Sequence, residues 1–371
     1  MRLSSCHILL ALALTAIFCS PTLAQVGEVS ADRAYGHVEN LVNIAPRLAG
    51  TAAEAIAASY IENEFRSYGL EAWIENFTIE ISYVVDDNRL RVTSENSTSY
   101  NVMALLPGQS DEIMVIGAHH DSVLTPGAVD DASGVAVVLE IARVLSTEKL
   151  PRTILFTTFG SEELGLLGSE AFVREYAENN IVVTIVFDSI APGPENGLRI
   201  GLRDSHEVAT TEWLDNYAQE LAENLGFYVK SEHLSAVEGY SDYASFTRVD
   251  IPGTWIYWVN PQHGNILWPI HTLADNLDAV DKVRLGQVAS FGTQLAQELA
   301  GVDLEALRRA YELPPLLLAT FTVMSAGAVV LSIAAGSFMR YRRGWSWSQA
   351  ARVFSLVTAA VVVAAYIWLL A

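Results

Sequence analysis

Cysteine is nearly absent from this sequence. The 371-residue chain has two, Cys6 and Cys19, and both fall in its first 24 residues. Beyond residue 24 no thiol remains, which excludes disulfides, cysteine nucleophiles and thiolate metal sites there. Acidic residues are missing from both ends, with none in 1–24 or 314–371. All 43 therefore lie in 25–313, against 17 of the 22 lysines and arginines, a balance of −26. A surface that holds duplex nucleic acid needs the opposite sign, so nucleic acid is not an expected partner.

The two acid-free ends read differently. MRLSSCHILLALALTAIFCSPTLA starts with a basic residue, Arg2, runs apolar from about Ile8 to Phe18 and leaves through small residues to Ala24. That run is too short to span a bilayer, so 1–24 is expected to be a secretory signal peptide. Residues 314–371 carry two charge-free apolar runs, about 316–338 and 353–370, each long enough for a transmembrane helix. Between them RYRRGWSWSQAAR is basic and rich in tryptophan, the marks of a cytoplasmic turn at the membrane interface. A membrane-anchored protein is expected, with 25–313 extracytoplasmic: periplasmic, extracellular or lumenal.

Within 25–313, short runs rich in β-branched and aromatic residues (IMVIGAHH, TILFTTFG, IVVTIVFDS, LRIGL, GTWIYWV) alternate with amphipathic stretches. The latter are Ala132 to Ser146, Ser169 to Glu178, Thr211 to Gly226 and Val280 to Ala300. This alternation predicts one α/β domain, a central sheet flanked by helices.

In open α/β sheets reactive groups gather at the carboxyl ends of strands. Here the first of these strands ends in His119-His120-Asp121, followed by a loop carrying Asp130 and Asp131. The second ends at Glu162-Glu163, the third at Asp188, and a late WPIHTLADN supplies His271 and Asp275. Histidines and carboxylates without thiolates suit Zn²⁺ or its first-row neighbours. Two histidines with three well-placed carboxylates are about what a pair of metals sharing one ligand requires, which leaves one adjacent glutamate free.

GAHHDSV, DDASG, FGSEELGLLGSEAF, FDS and HTLAD occur in this order. Together with the early PRLAGTAAEAIAASYIENEFRSYGLE and the later SDYASF, they make the chain resemble peptidase family M28, the co-catalytic zinc aminopeptidases, over about residues 40–300. The resemblance implies a mixed central β-sheet of the zinc aminopeptidase/carboxypeptidase type. It also implies two Zn²⁺ ions, replaceable by Co²⁺ or Mn²⁺, acting on peptide substrates. By position it implies His119 and Asp188 on one metal, Glu163 and His271 on the other, and Asp130 bridging both. Glu162 takes the place of the general base, and Asp121 that of the carboxylate orienting the first histidine. His119 and Asp121, two apart on an extended strand end, face the same side, as that pairing needs.

His120 is expected to be structural, Asp131 to start a helix, and Asp275 to support His271 or to cap. Trp255, Tyr257, Trp258 and Trp268 are expected in the core more than in a substrate pocket. Three other activities share this fold by resemblance: zinc glutaminyl cyclase, carboxypeptidase, and a receptor-like ectodomain without catalysis. The last fits least, because every ligand and the base are present.

Overall fold

The computed structural model describes residues 28–312 except 45, 81, 87–88, 94, 194–196, 203–208, 230–239 and 260–267. The expected signal peptide and membrane hairpin lie outside the described residues. Among those described, no helix is long and apolar enough to cross a membrane.

Seven strands form the main sheet. They are β1 (Glu71–Ile79), β4 (Ser97–Leu106), β5 (Ile113–His119), β6 (Thr153–Phe159), β7 (Ile181–Phe187), β8 (Leu198–Ile200) and β9 (Gly253–Trp258), in the order β1-β4-β6-β5-β7-β9-β8. β2 (Ser82–Asp86) and β3 (Arg89–Thr93) form a separate antiparallel pair. The four central strands β6, β5, β7 and β9 run parallel, whereas β1, β4 and β8 join antiparallel, so the sheet is mixed. β5, β6 and β7 are buried along almost their whole length, which is why they read as unbroken apolar runs rather than as alternation.

The helices are α1 (Ala31–Ile44), α2 (Ala52–Ser67), α3 (Gly134–Leu145), α4 (Leu167–Tyr176), α5 (Glu212–Asn224), α6 (Tyr243–Thr247) and α7 (Lys282–Gly301). α3 buries every residue but Arg143 and packs on β5, α1 and α7. An apolar cluster of Val115, Phe159, Phe172, Val173 and Phe246 joins β5 and β6 to α4 and α6. Trp255 and Tyr257 stack at 3.9 Å and Tyr243 stacks on Trp255, all three buried with Val186 and Leu202, so these aromatics are core. A second compact unit begins at Leu304; its described part is the helix α8 (Leu304–Glu312), braced by Glu305–Arg309 and Arg308–Glu312 pairs.

Candidate metal centre

Three neighbouring parallel strands each hand over to a polar turn at the same edge. β5 is followed by His120-Asp121, β6 by Gly160-Ser161-Glu162-Glu163 and β7 by Asp188-Ser189. The register sets His119 beside Phe159 and Gly117 beside Val186, which brings the three turns to one level. Asp130 joins them from the kinked turn Ala128–Ser133 just before α3, where Asp130 and Asp131 leave helical backbone angles; the peptide bond between them is cis.

His119 Nε2 lies 3.0 Å from Asp130 Oδ1, 3.7 Å from Asp188 Oδ1 and 4.0 Å from Glu162 Oε2. His271 Nε2 lies 3.1 Å from Asp130 Oδ2 and 3.0 Å from Glu163 Oε2. Two triads result, His119–Asp130–Asp188 and Asp130–Glu163–His271, each with its ligand atoms within 4.8 Å of one another. Asp130 belongs to both and turns one oxygen toward each imidazole. Donors about 2.0–2.1 Å from a tetrahedral zinc stand roughly 3.3 Å apart, so these spacings and the all-N/O donor set fit a divalent cation in each triad.

The charges fit as well. Burial opposes ionisation of Asp130, but hydrogen bonds from both imidazoles outweigh it and hold this carboxyl well below the usual range. Burial pushes Glu163 up to about 7, with the Asp130 charge adding to it. Glu162 is pushed well above the ordinary value by burial and by the charges of Asp242, Asp188 and Glu163. The hydrogen bonds of Asp130 and Glu163 raise half-exposed His271 to about 10. Burial and the neighbouring charges thus hold two of the carboxyls around these imidazoles back from ionising, and a cation in each triad would favour their charged forms.

The family model for peptidase family M28 matches residues 101–295, more than half of the chain. This chain belongs to peptidase family M28. It is 31% identical over 225 residues to leucine aminopeptidase 1 of Ajellomyces capsulatus (strain H88), covering 55% of this chain and 57% of that protein. It is also 31% identical over 215 residues to aminopeptidase YwaD of Bacillus subtilis (strain 168), covering 55% and 45%. The chain thus spans about half the length of these curated relatives. Among solved structures, a zinc aminopeptidase from Bacillus subtilis superposes with a TM-score of 0.65 at 21% identity, covering 74% of this chain and 96% of that one. Porphyromonas gingivalis glutaminyl cyclase superposes with 0.57 at 23%, covering 73% and 99%. At such identities the likeness is one of fold.

In this M28 chain the neighbours of the triads hold backbone more than side chains. Asp121 stands 3.5 Å from His119 Nδ1, longer than a hydrogen bond, while its two oxygens accept the N–H groups of Glu162 (3.0 Å) and Glu163 (3.3 Å). Asp275 accepts from the N–H groups of Val129 (2.6 Å) and Asp130 (3.3 Å), so its bonds serve the Asp130 turn rather than His271. Asp131 receives the N–H groups of His119, Gly134 and Ser189, tying the ends of β5 and β7 to the start of α3. His120 is buried against Thr158, lowered to about 4 by burial, and stays outside both triads.

Sequence reasoning missed two residues that belong here. Buried Arg47 donates to the carbonyls of His120 (2.8 Å), Pro126 (2.9 Å) and Gly127 (2.8 Å), the loop between His119 and Asp130. Asp242, in the quoted SDYASF, is fully buried and raised to about 7 by burial, Asp121 and Asp188 adding to the effect. An arginine in an otherwise small and apolar stretch, PRLAG, was the one visible signal for the first.

Proposed function

We propose that this chain is a membrane-anchored aminopeptidase that hydrolyses the N-terminal bond of peptides with two zinc ions, its active site outside the cytoplasm. The observation that carries the reading is Asp130, shared between His119 at 3.0 Å and His271 at 3.1 Å. His119, Asp130 and Asp188 would hold one ion, and Asp130, Glu163 and His271 the other. When bound, zinc polarises the scissile carbonyl and lowers the pKa of attacking water from 15.7 to about 7. Glu162 belongs to neither triad and lies at the His119 end, where it would take the proton from the nucleophile and return it to the leaving amine. Asp121 fastens the N–H groups of both glutamates and leaves both carboxylates to the site. The membrane and export parts of the proposal rest on the apolar runs at 316–338 and 353–370 and on the segment 1–24.

The test incubates the full-length chain with a mixed peptide library, with added zinc or with chelator, and reads products by mass spectrometry. Zinc-dependent release of single N-terminal residues is expected. Glu162→Gln should retain metal while kcat falls about 10²–10⁴-fold. Loss of ammonia from N-terminal glutamine would move the assignment to a cyclase, C-terminal trimming to a carboxypeptidase. A chain that binds zinc and changes no peptide would refute the proposal.

A further inference from the structure

The segment 46–54, PRLAGTAAE, lies upstream of the matched region 101–295 and brings to the site a carboxyl that the reaction above does not use. Glu54 sits in the first turn of α2 and is fully buried. Its bonded neighbours are uncharged. Gly50 N–H donates to Oε2 at 2.5 Å, and Ser99 Oγ donates to Oε1. Ser161 Oγ in turn donates to Ser99 Oγ at 2.8 Å, and both serines are buried without exposure. Ser161 is the residue before Glu162, and its φ is 57°, in the left-handed region that a serine occupies only when its neighbours fix it. Next to it, a Cβ at Gly160 would stand 2.5 Å from Glu54 Oε1 and 2.5 Å from the Tyr100 carbonyl. The turn that carries both glutamates is therefore seated directly on the Glu54 carboxyl.

A plain structural reading is that Glu54 caps the start of α2, as acidic first-turn residues do. That accounts for the bond to Gly50 and leaves the bonds through Ser99 to Ser161 unexplained. Buried polar chains of this kind fix geometry more than they add stability. We propose that Glu54 is a positioning residue of the metal centre: through Ser99 and Ser161 it locks the turn that aims Glu163 at the metal and Glu162 at the substrate. The inference rests on the two-zinc reading and assigns part of the working site to a segment more than 100 residues before the glutamates it serves.

The test uses the full-length chain, Co²⁺ titration with its visible absorption spectrum, and melting in chelator. Ser161→Gly deletes the hydroxyl and at the same time relieves the left-handed backbone. A positioning role predicts that this variant melts no lower than wild type in chelator, yet binds one Co²⁺ roughly 10–100-fold more weakly with an altered spectrum. Glu54→Gln, whose amide can still bond Gly50 and Ser99, should keep affinity and kcat near wild type. Glu54→Leu should lower both; if it fails to fold, the other two variants still decide. Wild-type Co²⁺ affinity and spectrum in Ser161→Gly overturn the inference, as does an affinity loss accompanied by a lower melting point. A wild-type chain that binds two ions but releases no N-terminal residue overturns only the aminopeptidase reading, and one that binds no metal overturns both.

Discussion

Replacing Arg47 by methionine keeps most of the side chain's length and removes its five donors. In the wild type Nε reaches His120 O, Nη1 reaches Pro126 O and, at 3.3 Å, Leu41 O, and Nη2 reaches Gly127 O. Three of these carbonyls belong to the loop that leads from His119 to Asp130, and no water can replace the lost donors at a side chain with no exposure. Gly127 O keeps the Ala132 N–H at 3.2 Å; unpaired buried carbonyls cost about 1–3 kcal/mol each, so His120 O and Pro126 O alone predict a loss of about 2–6 kcal/mol. Part is returned, because the guanidinium itself is expensive to bury; burial is the main cause that pushes its pKa down. A net loss of about 1–4 kcal/mol is expected, a large share of the roughly 5–15 kcal/mol that holds a domain together. Urea unfolding followed by tryptophan fluorescence in chelator measures it, with an unchanged slope and a lower midpoint as the signature. Arg47→Lys should recover only part, since one ammonium cannot reach three carbonyls set for a planar fork. A loss below about 1 kcal/mol for the methionine variant would show that the loop is held by something else, and the reasoning would fail.

Two further outcomes are expected. Gly134→Ala should be among the worst single-methyl additions, because its Cβ would fall 2.3 Å from the Phe187 carbonyl and 2.4 Å from Asp131 Oδ1; calorimetry should find at least about 1–3 kcal/mol lost, and an unchanged melting point would refute the tight seat of α3. Burial, with the Asp121 charge adding, pushes Glu54 up to about 8 from an ordinary 4.5. The unfolded chain then loses its proton first as pH rises, so this group's contribution is fully present below about pH 4.5 and is lost as pH rises through about 8. Wild type should lose roughly 3–5 kcal/mol relative to Glu54→Gln across that window, and a difference that stays flat with pH would contradict a protonated Glu54.

The central strands were legible because burial on both faces writes itself as an unbroken apolar run. IMVIGAHH, TILFTTFG, IVVTIVFDS and GTWIYWV bracket β5, β6, β7 and β9 to within two residues. β1 was not read: EAWIENFTI mixes exposed and half-buried positions along an edge strand that pairs with β4 alone, so its state depends on a partner and not on its own pattern. The residues of the two triads stood out because each follows a strand end or lies in a motif. What they rest on did not. Asp275 grips the Val129 N–H 146 residues away, and Arg47 reaches His120 across 73, distances over which local pattern carries no information. The role of Asp121 was legible as proximity to His119 and not as the fastening of the two glutamates.

Because the Asp130 carboxylate is completed by His271 on one side and its backbone is gripped by Asp275, the second triad cannot exist until the last quarter of the folded domain has been made. Asp130 belongs to the first triad as well, so a chain ending before residue 271 would lack the Asp275 grip that both triads share.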